Sequence, residues 1–247
     1  MKAMVFAAGQ GLRLGALTTT TPKALVPVAG RPMIEYPLRL LRHYGISEII
    51  VNLHHLGEQI KNYLGDGSRL GLRIIYSKEA ELLDTGGGLL KAKPFLQDGT
   101  FIVINTDVLI DLPLDKLTTF HHQNQAAATL VLRPDELADQ YGSIEIDPDG
   151  RIFRFLETQK PGPPPVSATK LMFTGVQILE PRIFDYMNTE GLQKFGTTKH
   201  TYPKMLREGE KLYGFFFDGL WQDLGTVDRI RKAEEALARG QARLRYL

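Results

Sequence analysis

The chain has 247 residues, 43% of them apolar, which suits one large α/β domain or two small ones with a sizeable core. With 30 Lys and Arg against 28 Asp and Glu, the formal charge is +2, and so even a balance gives no electrostatic footprint for a nucleic acid or a membrane surface. The absence of cysteine excludes disulfide frameworks, thiolate metal sites and cysteine nucleophiles, and no apolar run approaches a signal peptide or a membrane span, so a soluble cytoplasmic protein is expected.

An apolar strand over residues 2–7 runs straight into the loop Ala8-Gly9-Gln10-Gly11-Leu12-Arg13. Glycines there let backbone N–H groups come close to an anion, and Arg13 and Lys23 add two cations to the same loop. Donors together with point charges suit a polyphosphate. The dinucleotide fingerprint G-x-G-x-x-G fails because its third glycine arrives one residue late, at Gly15, and the P-loop pattern fails outright.

Further strands are predicted at residues 49–52, 72–76, 101–105 and 127–132, with helices over 32–44, 58–64 and 89–96 between them. Continuous apolar strands alternating with amphipathic helices predict a mostly parallel sheet covered on both faces, with ligands at the carboxyl ends of its strands. The glycine loop and Asp107 fall on that edge. His54 and His55 follow the second strand, and His121 and His122 close a helix over 115–122, where a cation suits the helix dipole. Residues 143–155 alternate with period two around Asp147-Pro148-Asp149-Gly150, which predicts a β-hairpin and makes the two aspartates turn residues rather than a D-x-D metal motif. A proline-rich loop over 160–165 follows, and a last helix spans 226–239. No internal repeat is visible.

Gly9, Gly11, Arg13, Leu14, Leu17, Thr18, Pro22 and Lys23 match, residue for residue, the form G-x-G-x-R-L-x-x-L-T-x-x-x-P-K. By this motif the chain resembles the sugar-1-phosphate nucleotidyltransferases, and other segments extend the resemblance to about residue 237. Asp84-Thr85-Gly86-Gly87-Gly88 resembles the family's glycine-rich turn, Glu157 its sugar-binding glutamate, Phe173-Thr174-Gly175-Val176 its [NT]-[AT]-G-[IV] strand, and Trp221 to Thr226 its W-x-D-[IL]-G-T segment. Small single-domain members such as N-acetylmuramate-1-phosphate uridylyltransferase look nearest, with mannose- and heptose-phosphate guanylyltransferases close behind.

The resemblance implies a Rossmann-like α/β fold, a mixed, mostly parallel sheet with helices on both faces. It implies a single domain over 1–247, with a nucleotide-binding half (1–135), a sugar-phosphate-binding half (136–247) and no C-terminal β-helix. The implied reaction moves a nucleotidyl group from a nucleoside triphosphate to a sugar 1-phosphate with Mg²⁺, UTP with an N-acetylmuramate-like or hexose 1-phosphate being the first choice and GTP with a mannose or heptose 1-phosphate the alternative. Arg13 and Lys23 take catalytic roles. Ala7, Ala8, Gly9, Gly11, Arg13, Asn52, Asp84 and Gly87 bind nucleotide; Glu157, Lys160, Thr174 and Gly175 bind sugar phosphate; Asp107 and Asp223 hold the metal. Partners are the two substrates, with no nucleic acid or membrane, in a monomer or homodimer serving cell-envelope polysaccharide. A nicotinamide-dependent dehydrogenase and a non-catalytic nucleotide-binding regulator stand as alternatives from other classes.

The chain departs from the family at Gly15 or Ala16, where proline is usual, at Thr106, where glycine or serine is usual and threonine adds bulk, and at Glu157-Thr158-Gln159-Lys160-Pro161, where the family reads E-K-P. That places Lys160 two residues from the family lysine and leaves Lys170 and Lys199 as competitors for the sugar phosphate.

Overall fold

A computed structural model describes residues 1–136, 138, 142–187 and 191–247. In chain order the elements are β1 (Lys2–Phe6), β2 (Pro27–Val28), β3 (Arg31–Pro32), α1 (Glu35–His43), β4 (Glu48–Leu53), α2 (Gly57–Leu64), β5 (Arg73–Lys78), α3 (Asp84–Lys91), α4 (Lys93–Leu96) and β6 (Phe101–Asn105). They continue with β7 (Val108–Ile110), α5 (Leu114–Gln123), β8 (Ala128–Arg133), β9 (Ile144–Ile146), β10 (Ile152–Phe155), β11 (Thr158–Gln159), β12 (Thr169–Leu179), α6 (Tyr202–Arg207), β13 (Leu212–Phe216), β14 (Trp221–Asp223) and α7 (Val227–Ala238). The chain divides into two compact units that interleave in sequence: residues 1–82, 103–112 and 219–247 in the first, 83–102 and 113–218 in the second.

The first unit rests on parallel pairing. β1 runs beside β4 with Val5 opposite Val51, and β4 beside β5 with Val51 opposite Tyr76. Met4, Val5, Ile49, Ile50 and Val51 are all fully buried. Successive strand residues point to opposite faces, so burial of consecutive positions means that both faces are covered, as the continuous apolar runs predict. α1 sends Leu38, Leu40 and Leu41 into this core. At its first turn the buried Glu35 receives Tyr63 Oη (2.6 Å), Arg69 Nη2 (3.0 Å) and Arg39 Nε (2.9 Å), so its charge is neutralised and hydrogen-bonded where it leaves water. β7 and β14 form a short antiparallel ladder with Asp223 opposite Val108 and Trp221 opposite Ile110.

The second unit is mixed. β13 pairs with β8 in parallel, β8 with β12 antiparallel, and β12, β9, β10 and β11 continue antiparallel. The predicted hairpin is β9–β10. Its turn uses Asp147 as expected: Oδ1 accepts the N–H groups of Asp149 (3.0 Å) and Arg151 (2.8 Å), which commits that oxygen to the backbone. Taken with the first unit, these elements are the mixed Rossmann-like α/β fold that the sequence predicts. One prediction shifts: the helix placed at 89–96 is two helices, α3 beginning at Asp84 and α4 beginning after Ala92, beside Pro94. Gly86, Gly87 and Gly88 are helical despite their poor propensity, because tertiary contacts described below hold them there.

Candidate active site

The end of β1 is tied down before the glycine loop begins. Asn52, buried on β4, accepts the Ala7 N–H on Oδ1 (2.7 Å) and donates from Nδ2 to the buried Glu79 (2.7 Å). Its amide therefore ties the end of β1 to β4, just before the loop that the sequence assigns to the nucleotide. Thr106 adds a second tie: its N–H (3.3 Å) and its hydroxyl both donate to Phe6 O, so threonine here does more than add the bulk expected of it.

Ala8 leads into Gly9, where a Cβ would meet nothing within 4 Å, so the loop presents open backbone at that point. Gly11 is left-handed (φ 70°), and a Cβ on it would lie 2.8 Å from Thr18 Cγ2 and 3.0 Å from Lys23 Cβ. Any larger residue would push the loop off both. Thr18 in turn donates its hydroxyl to Gly11 O (3.0 Å), closing the loop into the short 3₁₀ segment Leu12–Thr18 that carries Arg13.

Four charged residues singled out from the sequence, Arg13, Lys23, Asp107 and Asp223, fall in this unit, and Lys23 pairs with Asp107 while Asp223 pairs with Arg229. Lys23 Nζ makes an ion pair with Asp107 Oδ2, the two side chains being 16% and 20% exposed. Asp107 lies between β6 and β7, and its carbonyl accepts the Leu224 N–H (2.8 Å), which places it beside the end of β14 and hence beside Asp223 across the ladder. Asp223 Oδ1 accepts the Gly225 N–H (2.7 Å) and Oδ2 pairs with Arg229 on α7. Arg13 closes the cluster, since a Cβ on Gly225 would lie 2.6 Å from its Nη2 and 2.8 Å from Asp223 Oδ1. Three cations and two carboxylates leave the cluster one positive charge in excess, which favours an anion.

Arg229 is a functional candidate that the spacing of motifs does not single out, whereas Gly225 is the glycine of the W-x-D-[IL]-G-T segment. Arg229 lies six residues beyond Asp223, and only the turn from β14 into α7, capped by the Thr226 hydroxyl on Arg229 N (3.4 Å), brings it back.

In the second unit the glycine-rich segment is a helix start packed against protein. Gly86 and Gly87 both donate their N–H groups to Phe195 O (2.8 and 3.2 Å), and Thr85 N–H goes to Asp84 Oδ1 (2.6 Å). A Cβ on Gly86 would lie 2.4 Å from the Phe195 ring and one on Gly87 2.6 Å from Gln193 O. The expectation of bare backbone with free N–H groups for a base or sugar is therefore corrected at Gly87: close approach of residues 193–195 is what requires these glycines.

Glu157 is exposed in the two-residue turn between β10 and β11. Lys160 N–H donates to Phe153 O (2.7 Å), extending the β10–β11 pairing by one rung. Partial burial and the neighbouring Arg151 guanidinium hold its ammonium below the ordinary lysine range, with Asp147 opposing them. Lys170 lies on β12 opposite Glu145, and Lys199 is exposed on the helical turn Thr197–Thr201, whose two end residues are buried. Thr174 is buried with its hydroxyl on Val131 O (2.8 Å), and Gly175 (φ 86°) stands in a bulge of β12 between the Phe173 and Gln177 pairings.

Residues 2–240 match the family described as "Nucleotidyl transferase", and the chain belongs to that family. It is 38% identical to the N-acetylmuramate alpha-1-phosphate uridylyltransferase of Neisseria meningitidis, covering 95% of this chain and 97% of that one. It is 36% identical to the UTP–glucose-1-phosphate uridylyltransferase of Synechocystis and 32% identical to the mannose-1-phosphate guanylyltransferase of Mycobacterium tuberculosis, over 92% and 97% of this chain. It spans only 61% and 65% of those two relatives' own lengths. Among solved structures, a Bacillus anthracis protein in complex with sucrose superposes with a TM-score of 0.80 at 23% identity, over 100% of this chain and 98% of that one. HddC from Yersinia pseudotuberculosis complexed with GMP-PN gives 0.76 at 23% identity, over 96% and 99%. Both share the fold.

Proposed function

We propose that this chain transfers a nucleotidyl group from a nucleoside triphosphate to a sugar 1-phosphate, and that the cluster of Arg13, Lys23, Asp107 and Asp223 carries the chemistry. The observation that supports this most is the ion pair of Lys23 with Asp107, with the Arg13 guanidinium lying against Gly225 beside Asp223 and an open glycine loop next to them. A phosphate oxygen of the sugar phosphate attacks the α-phosphorus; that P–O bond forms as the bond to the β-phosphate oxygen breaks, and pyrophosphate leaves with the electron pair. No general base is needed, because a phosphate monoester is already an anion at neutral pH. The backbone of Ala8, Gly9 and Gly11 cradles the triphosphate, Arg13 holds the departing β- and γ-phosphates, and Lys23 neutralises charge growing at the α-phosphate. Ala7 is held in place for this by Asn52.

Asp107 and Asp223 are a pair of hard oxygen donors at neighbouring ends of one ladder, each now neutralised by a cation, and this donor set fits Mg²⁺. When bound, the ion supplies charge neutralisation on the reacting phosphates. In the second unit Asp84 is assigned to the nucleotide and Gly87 to positioning α3. Glu157 accepts hydrogen bonds from sugar hydroxyls, Lys160 neutralises the monoester, and Thr174 and Gly175 shape the strand beside them.

UTP with an N-acetylmuramate-like or hexose 1-phosphate is the favoured pair, supported by the near full-length match to the Neisseria relative; GTP with mannose or heptose 1-phosphate is the second reading, supported by the mycobacterial one. We place the protein in the cytoplasm, serving cell-envelope polysaccharide; among the described residues no helix is long and apolar enough to cross a membrane. The test is the purified chain with pyrophosphatase, four triphosphates crossed with a panel of sugar 1-phosphates, read as phosphate release. Release confined to UTP and hexose-type acceptors supports the first reading, and release with GTP and mannose 1-phosphate the second. No release with any pair leaves a nucleotide-binding regulator.

A further inference from the structure

We propose that His121, His122 and Glu180 bind a divalent transition-metal ion of the zinc type, at a site built from residues other than Asp107 and Asp223. One ligand atom of each residue lies within 4.8 Å of the other two. His121, in the last turn of α5, is 1% exposed and locked at both ring nitrogens: Nδ1 is 2.8 Å from Thr129 Oγ1 on β8, and Nε2 is 3.1 Å from Glu180 Oε1.

Nε2 and Oε1 stand at hydrogen-bond distance, and two ligands on a tetrahedral ion with bonds of about 2.0–2.1 Å stand about 3.3 Å apart, so a small displacement would let an ion replace the shared proton. Thr129 holds the remaining ring nitrogen, the outer contact that orients a metal-bound histidine and fixes its tautomer. Thr100 Oγ1 donates to Glu180 Oε1 (2.7 Å) and orients the carboxylate. His122 is exposed, its ring edge-on to His121 at 5.5 Å.

The three ligands line a cavity of about 390 Å³ with Gln125, Pro181 and Arg182, which leaves room for water as a fourth ligand. Arg182 is the opposing charge, and it is turned toward Glu210 (3.4 Å) and Gln125 O (3.3 Å). Two imidazoles with one carboxylate select zinc, cobalt or nickel over magnesium, which takes oxygen ligands and keeps its waters. The ion would join the end of α5 to the end of β12 and stabilise the second unit.

The test uses the full chain stripped of metal by a chelator and titrated with Zn²⁺ and Co²⁺. Expected are one ion per chain, visible Co²⁺ bands of a tetrahedral nitrogen–oxygen site, and a rise in Tm with Zn²⁺. His122→Ala, at an exposed position, and Glu180→Gln should each weaken binding about tenfold or more and abolish the rise in Tm. Asp107→Asn with Asp223→Asn should leave Zn²⁺ binding unchanged. Absence of binding, wild-type affinity in both His122→Ala and Glu180→Gln, or loss of the ion in the double aspartate variant would overturn the proposal.

Discussion

Gly225 lies against the Arg13 guanidinium: a Cβ at Gly225 would stand 2.6 Å from Arg13 Nη2 and 2.8 Å from Asp223 Oδ1. The nearest obstacle is the far end of a flexible side chain, so Gly225→Ala should fold, with Tm within about 2 °C of wild type. Arg13 must move to make room, and misplacement of a phosphate-holding group should lower turnover on the order of 10–100-fold. Thermal unfolding and steady-state rates on the same preparation check both halves.

The two loop cations should separate kinetically. Lys23→Ala should reduce kcat more than it weakens triphosphate binding, since charge at the α-phosphate grows only in the transition state, whereas Arg13→Ala should raise the triphosphate Kd. Because Lys23 is the ion-pair partner of Asp107, its loss also leaves that carboxylate uncompensated, and a Tm drop is expected for Lys23→Ala but not for the exposed Arg13.

Much of this was legible in the chain. β1, β4 and β6 each carry a continuous apolar stretch, at residues 3–6, 49–51 and 101–104, and the segments that follow β1 and β6 carry the glycine loop and Asp107. Less visible was what meets them. β7 and β14 are three-residue strands with no period to read, yet their ladder sets Asp107 beside Asp223. Asn52 is assigned to the nucleotide by resemblance alone, and its hydrogen bonds to Ala7 and Glu79, from distant parts of the chain, are not readable from spacing. At Gly86 and Gly87 the sequence could not distinguish space for a ligand from space for Phe195, which lies more than a hundred residues further along.

For the sugar phosphate, Lys160→Ala should raise KM for that substrate and leave KM for the triphosphate nearly unchanged. Since burial and Arg151 hold its ammonium below the ordinary lysine value, the contribution should fade at a lower alkaline pH than an exposed lysine would show. If Lys170→Ala or Lys199→Ala gives the selective defect and Lys160→Ala does not, the phosphate is bound from another element.

Glu35 makes a stability prediction. Burial pushes its carboxyl up, but hydrogen bonds from Tyr63, Arg69 and Arg39 outweigh this and hold it below the ordinary glutamate value. A lowered native value means the stabilisation is present above the unfolded value, about 4.3, and is lost as pH falls through the native one. Glu35→Gln should cost about 1–3 kcal/mol at neutral pH. Its Tm should also fall less steeply than that of wild type below about pH 4.3.

Pyrophosphate formation by the purified chain from UTP and a sugar 1-phosphate, in Mg²⁺ and then in EDTA, with Asp107→Asn and Asp223→Asn beside the wild type, tests the central claim most directly. The account predicts release by the wild type in Mg²⁺, its loss in EDTA, and a fall of about 100-fold or more in each variant with the fold intact. Full activity of both variants in EDTA would contradict it.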